Sequence, residues 1–245
     1  MSVYVMADLH LATACREKKS MEVFGSRWKD YENKIKKNWT KIINEDDTVI
    51  IPGDISWATS LDECVSDFSF INSLPGKKIF GKGNHDYWWS TISKMKRFNE
   101  ENRFDTISFL YNEATIVEDF IITGTRGWFP DMENAKIPEN SDYDKLINRE
   151  SARLKLGLEE AKKLRESNPD KEILVFLHFP PIWKDCAIKQ FTSIIESYGI
   201  KRCYFGHIHA SYNAEPFFEY NGVEYILISA DFINFVPRLI YPQSP

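Results

Sequence analysis

The chain has 245 residues, of which 43% are hydrophobic, 14% aromatic and 27% charged. These proportions exclude a disordered chain, a collagen-like chain and a coiled coil, and the length predicts one domain that spans residues 1–245. The formal net charge is -5. This charge argues against strong, nonspecific nucleic-acid binding, because such binding needs a basic surface.

Four cysteines lie far apart in the sequence, at Cys15, Cys64, Cys186 and Cys203. A long chain with so few cysteines is not a disulfide scaffold, so we expect reduced thiols. No apolar run approaches the roughly 18 residues of a membrane span, and the start of the chain lacks the basic flank and apolar length of a signal peptide. The sequence therefore predicts a cytoplasmic protein without a membrane partner, and it leaves the oligomeric state open.

Short apolar runs rich in β-branched and aromatic residues predict buried strands. In chain order, these strands cover residues 3–6, 48–51, 78–80, 120–123, 173–177, 203–205 and 224–229. Amphipathic patterns predict helices over residues 22–44, 61–74, 143–166 and 188–198. Strands that alternate with helices favour an α/β architecture, and the strand-rich stretch 203–240 indicates a mixed sheet. The polar stretch 128–142 is predicted to be a loop, either functional or a variable surface insertion.

All five histidines lie directly after predicted strands, beside aspartate, asparagine and glycine. The stretches are Asp8-Leu9-His10, Gly53-Asp54, Gly83-Asn84-His85-Asp86, His178-Phe179-Pro180-Pro181 and Gly206-His207-Ile208-His209. In open α/β sheets, sites form at the carboxyl ends of strands, so these five strand ends can converge on one cleft. Each stretch alone could be a turn or a polar loop. Five coincidences that use every histidine of the chain argue for a shared site.

The candidate ligands are oxygen and nitrogen donors without a thiolate. This set fits Mn²⁺, iron, Zn²⁺ or Co²⁺ better than a cysteine-rich structural zinc site or an all-oxygen Mg²⁺ or Ca²⁺ site. Seven candidate ligands exceed the need of one ion, whereas two ions that share a carboxylate would use them. We therefore expect two divalent metal ions, with Mn²⁺ favoured.

The five stretches, in this order, resemble the calcineurin-like metallophosphoesterases, and they extend from residue 8 to residue 209. The chain also resembles a bacterial branch of that superfamily in three stretches. These are Gly-Asp-Ile-Ser-Trp at 53–57, Gly-Asn-His-Asp-Tyr-Trp-Trp at 83–89 and Gly-Thr-Arg-Gly-Trp at 124–128. The resemblance implies a four-layer sandwich in which two mixed β-sheets are flanked by α-helices. It does not supply the physiological substrate.

The resemblance also implies how the two metal ions are bound. The first ion would be bound by Asp8, His10, Asp54 and His209. The second ion would be bound by Asp54, Asn84, His178 and His207. Asp54 would thus bridge the two ions, and a phosphoester would be hydrolysed by attack of a hydroxide that bridges the metals.

His85 resembles the catalytic histidine of the superfamily, and Asp86 would orient it. His85 would donate a proton to the leaving group or stabilise charge on the phosphoryl oxygens, and with Asn84 it would contact the substrate. No motif residue departs from the pattern. The expected activity is hydrolysis of a phosphomonoester or a phosphodiester.

Two further residues are candidates for substrate binding. Arg126 follows a predicted strand and could bind phosphoryl oxygens bidentately, although a pair with a structural carboxylate is the alternative. Trp128, like Trp88 and Trp89, could stack on a planar group, and the alternative is a place in the core. Arg149 and Arg153, one turn apart on a predicted helix, could face the cleft or solvent; the solvated face is favoured.

Two other functions are alternatives to hydrolysis. A binding or scaffold module on the same fold would have lost metal ligands, and none is lost. A zinc-structured protein without catalysis would need a closed site of four cysteine and histidine ligands. Within the hydrolase interpretation, small phosphomonoesters, phosphodiesters including cyclic nucleotides, and phosphoproteins all stay open as substrates.

Overall fold

The computed structural model describes residues 1–13, 21–128 and 143–242. The first part of the chain alternates strands with three helices. In chain order these elements are β1 (Val3–Val5), α1 (Tyr31–Ile42), β2 (Thr48–Pro52), α2 (Val65–Asn72), β3 (Lys77–Gly81), α3 (Ile92–Asn102) and β4 (Ile107–Phe109). Strands β1 to β4 pair with one another in this order, and all of these pairs are parallel.

The second part of the chain builds another sheet and returns once to the first. Its elements are β5 (Ala114–Val117), β6 (Phe120–Thr125), α4 (Tyr143–Glu166), β7 (Glu172–Leu177), β8 (Ile182–Trp183), β9 (Cys186–Ala187), α5 (Lys189–Ser197), β10 (Arg202–Phe205), β11 (Phe217–Tyr220), β12 (Val223–Leu227) and β13 (Arg238–Ile240). The second sheet has the order β11-β12-β10-β7-β6-β5, with antiparallel strands at both edges. Strand β13 pairs antiparallel with β1, so both sheets are mixed.

The two sheets pack face to face, and helices cover their outer faces. Ile50 of β2 belongs to the same buried cluster as Leu174 and Phe176 of β7. The flanking residues Val49 and Ile51 point to the other face and pack with α1, α2 and α3, because side chains alternate along a strand. The second sheet alternates in the same way, and its outer face packs against α4 and α5. The predicted four-layer sandwich is confirmed.

The sheets are joined along one edge by backbone hydrogen bonds just beyond β1 and β12. Ala7 and Ser229 form a parallel bridge. The amide of Ala7 donates to the carbonyl of Ile228 at 2.9 Å, and the amide of Ala230 donates to the carbonyl of Ala7 at 2.9 Å. We call these bonds the seam. The seam brings the carboxyl ends of the parallel strands of both sheets to one place.

The predicted helix over residues 22–44 is wrong in its first part. Two short 3₁₀ turns, Met21–Phe24 and Ser26–Trp28, precede α1. Gly25 has φ 124° and Asp30 has φ 54°, and neither value fits a right-handed helix. Trp28 is nevertheless buried. The apolar spacing therefore identified the buried side chains but not the backbone breaks between them.

The other predicted helices are confirmed, with one shortened. The helix predicted over 61–74 forms as α2 after a 3₁₀ turn at Asp62–Cys64, and the last two match α4 and α5 within a residue or two. Helix α3 was not predicted, because its buried stripe is narrow and includes a polar residue, Asn99. The short strands β4, β5, β8 and β9 were missed as well, and β11 and β13 were predicted only as part of the strand-rich stretch 203–240.

No described helix is long and apolar enough to cross a membrane. Cys64, Cys186 and Cys203 are free thiols. Cys15 lies outside the described residues. The predicted loop 128–142 does so too, apart from Trp128.

Candidate metal centre

The predicted site residues meet at the carboxyl ends of parallel strands, on both sides of the seam. In the first sheet, Asp8 and His10 follow β1, Asp54 follows β2, and Asn84 and His85 follow β3. In the second sheet, His178 follows β7, whereas His207 and His209 follow β10. The strands that carry these residues run parallel within each sheet, and this shared direction accounts for their meeting at one edge.

Asp8, His10 and His209 form one group of ligand atoms, all within 4.8 Å of one another. The Nε2 atoms of His10 and His209 are 3.1 Å apart. Nε2 of His209 is 3.8 Å from Oδ1 of Asp8. Two imidazole nitrogens and one carboxylate oxygen thus converge from the two different sheets.

Asp54, His178 and His207 form a second group with the same spread of ligand atoms. Nε2 of His178 lies 3.4 Å from Oδ2 of Asp54 and 2.6 Å from Oδ1 of Asn84. Asn84 therefore adds an amide oxygen to this second group.

Asp54 lies between the two groups. Its Oδ2 is 3.7 Å from Nε2 of His10 in the first group and 3.4 Å from Nε2 of His178 in the second. Its Oδ1 accepts a hydrogen bond of 2.8 Å from the amide of His85. One buried carboxylate thus approaches both sets of imidazoles, as a bridging ligand would.

The carboxylates of the site are buried, and burial disfavours their charged form. Burial raises the pKa of Asp8 to about 6, although the charge of His209 acts in the opposite direction. Burial, followed by the charges of Asp86 and Asp8, raises the pKa of Asp54 well above its usual range. A bound cation would favour the ionised form of both groups and so offset this cost.

The imidazoles are suited to act as metal ligands. Burial, followed by the charges of neighbouring histidines, lowers the pKa of His10 and of His178 well below the usual value. Both rings are therefore neutral at pH 7, and a neutral imidazole has a lone pair for a cation. Nitrogen and carboxylate donors together match the divalent transition metals, so these residues fit two such ions.

Four residues of the site have left-handed backbone conformations. Asp8 has φ 62°, His10 φ 46°, Asp54 φ 52° and His207 φ 69°. A residue with a side chain adopts this conformation at a cost, and such residues cluster at functional sites. Backbone strain is thus concentrated at four of the proposed metal ligands.

Glycine is required beside the carboxylates because there is no room for a larger residue. A Cβ atom on Gly206 would overlap the carboxylate of Asp8 and lie 2.6 Å from Cβ of Ala7. A Cβ on Gly83 would overlap the carboxylate and the amide of Asp54. The glycines that precede His207 and Asn84 thus permit the close approach of the loops.

The ring of His85 lies against Trp57, with ring centroids 4.2 Å apart. Trp57 also stacks on His10, at 5.1 Å and an interplanar angle of 25°. The Asp86 carboxylate accepts hydrogen bonds from the indole of Trp88 and from the backbone amides of Asp54, Ile55, Ser56 and Gly83. Asp86 therefore fixes the backbone from which the His85 and Asp54 side chains extend.

Asp231 belongs to the site but was missed in the sequence. Its Oδ1 accepts a hydrogen bond of 2.7 Å from Nδ1 of His209, and its Oδ2 accepts one from the amide of Ala210. Burial lowers the pKa of His209, but the hydrogen bond and the charges of Asp8 and Asp231 raise it more, so the net shift is upward. Asp231 follows the predicted strand 224–229, which is the signal that could have identified it.

The model of the calcineurin-like phosphoesterase family matches residues 1–211. The chain belongs to this family. The match includes every residue of the two ligand groups, and the family supports a metal-dependent phosphoesterase that uses divalent ions. No significant match was found among curated protein sequences.

Two solved structures share the fold of this chain. Phosphopantetheinyl hydrolase from Mycobacterium tuberculosis is 13% identical, with a TM-score of 0.54 over 100% of this chain and 98% of that chain. Protein TT1561 of Thermus thermophilus is 9% identical, with a TM-score of 0.52 over 94% of this chain and 89% of that chain. At these identities the likeness establishes the fold alone.

Arg126 and Trp128 lie next to each other beyond β6. The guanidinium of Arg126 is 5.3 Å from the ring centroid of Trp128 and 3.5 Å from the carboxylate of Glu150. Trp88 and Trp89, by contrast, are buried in the core beside the first sheet. The core alternative therefore holds for those two tryptophans, and only Trp128 stays a candidate for substrate contact.

A cleft of about 690 Å³ adjoins the first ligand group. Ala210 and Ser211, which directly follow His209, form one wall. The aromatic residues that line the cleft include Trp183, Tyr212 and Phe218. This volume is in the range of small-molecule sites.

Proposed function

We propose that the chain is a phosphoesterase with two divalent metal ions that hydrolyses phosphomonoesters or phosphodiesters. One observation carries the proposal: two adjacent groups of buried imidazole and carboxylate ligands have Asp54 between them. The first ion would be held by Asp8, His10, Asp54 and His209. The second ion would be held by Asp54, Asn84, His178 and His207. Manganese is the proposed metal, since these donors suit it.

When bound, two such cations would supply Lewis acidity, activate a water molecule and neutralise charge on the phosphoryl group. His85 would donate a proton to the departing oxygen or hold a phosphoryl oxygen. Trp57 supports this role because it packs against the His85 ring and limits its orientation. Asp86 would act as a positioning residue through the backbone amides that it binds.

The substrate would be contacted by Asn84, His85, Arg126 and Trp128. Arg126 supports this role through its position, since its carbonyl accepts a hydrogen bond from the amide of Phe179, the residue after His178. The strand ends at Arg126 and His178 are therefore neighbours. The proposed location is the cytoplasm, and the three free thiols of Cys64, Cys186 and Cys203 support it.

The test is hydrolysis of p-nitrophenyl phosphate and bis-p-nitrophenyl phosphate after metal removal and addition of Mn²⁺. Asp54→Asn should lose metal and activity, because it removes the charge shared by both groups. Asp170→Asn, at an exposed position away from the site, should behave like the wild type. Diester turnover would indicate a phosphodiesterase, and turnover of the monoester alone would indicate a phosphatase.

Metal content separates this proposal from a scaffold or a zinc-structured protein. We expect about two ions per chain by elemental analysis, as a site of this ligand count requires. A chain that binds no metal and hydrolyses neither ester would contradict the proposal.

A further inference from the structure

Three arginines surround one buried carboxylate on α4, close to the proposed metal centre. Glu150 is 0% exposed, and its Oε1 lies 2.6 Å from Arg153, 3.4 Å from Arg149 and 3.5 Å from Arg126. We call Arg126, Arg149 and Arg153 the arginine cluster. It lies on the side of the proposed metal centre away from the seam.

The order of the strands places this cluster beside the second ligand group. Arg126 follows β6, which pairs with β7, and His178 directly follows β7. Neighbouring strands are about 4.8 Å apart, so the backbone of Arg126 is one strand spacing from that of a proposed ligand. In the first sheet, Lys82 directly follows β3 and lies two residues before Asn84. Lys82, Tyr111, Thr125 and Arg126 line one recess between the sheets.

The positive charge of the cluster exceeds what Glu150 requires. Its carboxylate accepts hydrogen bonds from Arg153 at 2.6 Å and from the hydroxyl of Thr125 at 3.0 Å. Each of the two carboxylate oxygens of Glu150 therefore already accepts one hydrogen bond. Within the described part of the chain, the three guanidinium groups and the Glu150 carboxylate leave a net charge of about +2, and Lys82 raises this to about +3. Surplus like charge on half-buried groups is unfavourable without a counter-anion.

The arginines also have donors to spare. Nε of Arg126 is buried and has no hydrogen-bond partner in the described part of the chain. Arg126 is 18% exposed, Arg153 29% and Arg149 50%, so a small molecule in solution has access to all three side chains. Burial, opposed by the charge of Glu150 but reinforced by Arg149 and Arg153, lowers the pKa of Arg126. An anion would relieve this repulsion.

We propose that the arginine cluster and Lys82 bind a second anionic group of the substrate while its ester lies at the metal centre. This inference rests on the proposed function. The substrate class is a small phosphoester that carries a second phosphate roughly 5–10 Å from the first, a span of one or two strand spacings. Guanidinium groups bind phosphate oxygens bidentately, which suits this role.

The test compares fructose 1,6-bisphosphate with fructose 6-phosphate, which differ by one phosphate, on the Mn²⁺-loaded protein. The variant is Arg149→Gln/Arg153→Gln. It keeps Arg126, so that Glu150 retains an ionic partner and the helix can fold. The matched control is Lys96→Gln/Arg97→Gln, which removes the same charge from exposed positions on α3.

For the wild type, we expect kcat/KM for the bisphosphate to exceed that for the monophosphate by about tenfold or more. The arginine variant should lose about 10- to 100-fold on the bisphosphate and less than about threefold on the monophosphate, as expected when charge-assisted hydrogen bonds are removed. The control should match the wild type. Equal losses on both sugars, or no preference in the wild type, would overturn the inference.

Titration calorimetry with the same two sugars separates this inference from the proposed function. Tighter binding of the bisphosphate by about tenfold, lost in the arginine variant, supports the cluster even if no ester is hydrolysed. In that case the proposed function fails and the anion site stands. Hydrolysis of p-nitrophenyl phosphate with equal affinity for the two sugars would instead leave the proposed function standing and refute the anion site.

Discussion

The ring of His85 packs against Trp57 beside the proposed ligands, and its role should depend on the leaving group. If His85 donates a proton to the departing oxygen, His85→Ala should lower kcat about 10²- to 10⁴-fold for phenyl phosphate. The loss should be much smaller for p-nitrophenyl phosphate, whose leaving group needs no proton. Metal content, measured on the same samples, should stay at the wild-type level. Full activity of the variant on phenyl phosphate would contradict the acid role.

Asp231 holds His209 through a hydrogen bond of 2.7 Å to Nδ1. Such partners fix the orientation of a metal-binding imidazole, and their removal costs about 10- to 100-fold in metal affinity. We therefore expect Asp231→Ala to weaken Mn²⁺ binding by this factor in a metal titration.

The conservative variant Asp231→Asn separates positioning from a general structural role. It keeps an oxygen that can accept the hydrogen bond, so most of the affinity should return. If Asn and Ala weaken Mn²⁺ binding equally while unfolding at the wild-type temperature, orientation of His209 through this bond is not the reason.

Much of the site could be predicted at the level of single residues, since each proposed ligand directly follows an apolar run. Asp231 also follows one, but no histidine or second carboxylate stands beside it, so its local sequence carried little signal. The contact between Trp57 and His85 joins loops from different strands. The packing of these two loops creates it, and no spacing in the sequence predicts such a contact.

Among the secondary-structure elements, α4 lies very close to β6 at Gly157. A Cβ atom there would overlap the hydroxyl of Thr123, which donates to the carbonyl of Glu113 at 3.0 Å. Replacing a helical glycine by alanine ordinarily stabilises a helix by up to about 1 kcal/mol. Here overpacking should reverse the sign, so that Gly157→Ala lowers the free energy of unfolding by about 1–2 kcal/mol.

Urea denaturation of Gly157→Ala and of a control on the same helix would check this expectation. Asn148 is exposed on α4, so Asn148→Ala changes helix propensity without changing packing. The control should gain a few tenths of a kcal/mol, roughly the difference in propensity. A gain in both variants would mean that α4 can move away from β6 at little cost.

Elements buried on both faces could be predicted closely from the sequence, because their apolar runs are continuous. Strands β2, β3 and β7 are such cases. The pairing of Val3 with Ile240 could not be predicted, since a three-residue strand carries little pattern and its partner is remote in the chain. The interruptions of the helix at Gly25 and Asp30 could not be predicted either, because the spacing of apolar residues carries no information about backbone φ angles.

At the scale of the whole molecule, Lys78 makes stability depend on pH. Its side chain is buried, and it donates hydrogen bonds to the carbonyl of Leu74 and to the hydroxyl of Thr106. Burial lowers its pKa from 10.5 to about 8. The unfolded chain therefore binds more protons between pH 8 and 10.5, so this group adds stability as the pH rises through that window. Below pH 8, burial of the charged Lys78 side chain lowers the free energy of unfolding by its full cost of about 3 kcal/mol.

Lys78→Met should remove this dependence. The lost hydrogen bonds offset part of the gain, so we expect the variant to be about 1 kcal/mol more stable than the wild type at pH 7 and about 2 kcal/mol less stable at pH 10.5. Urea denaturation at several pH values would measure the difference. Lys77→Met, at the exposed neighbouring position, is the control, and it should show no such trend. If the difference in free energy of unfolding between Lys78→Met and the wild type does not change with pH, the lowered pKa of Lys78 is contradicted.

The seam has a consequence for how the protein would bind metal ions and substrate. Because the amides of Ala7 and Ala230 bond across the two sheets, the halves that carry the ligands cannot hinge apart without breaking buried hydrogen bonds. The proposed ligands are thus preorganised before any cation or substrate arrives, and little binding energy is spent on closure. These two amides should be among the slowest of the chain to exchange with deuterium, which would make the centre of the site the most rigid part of the fold.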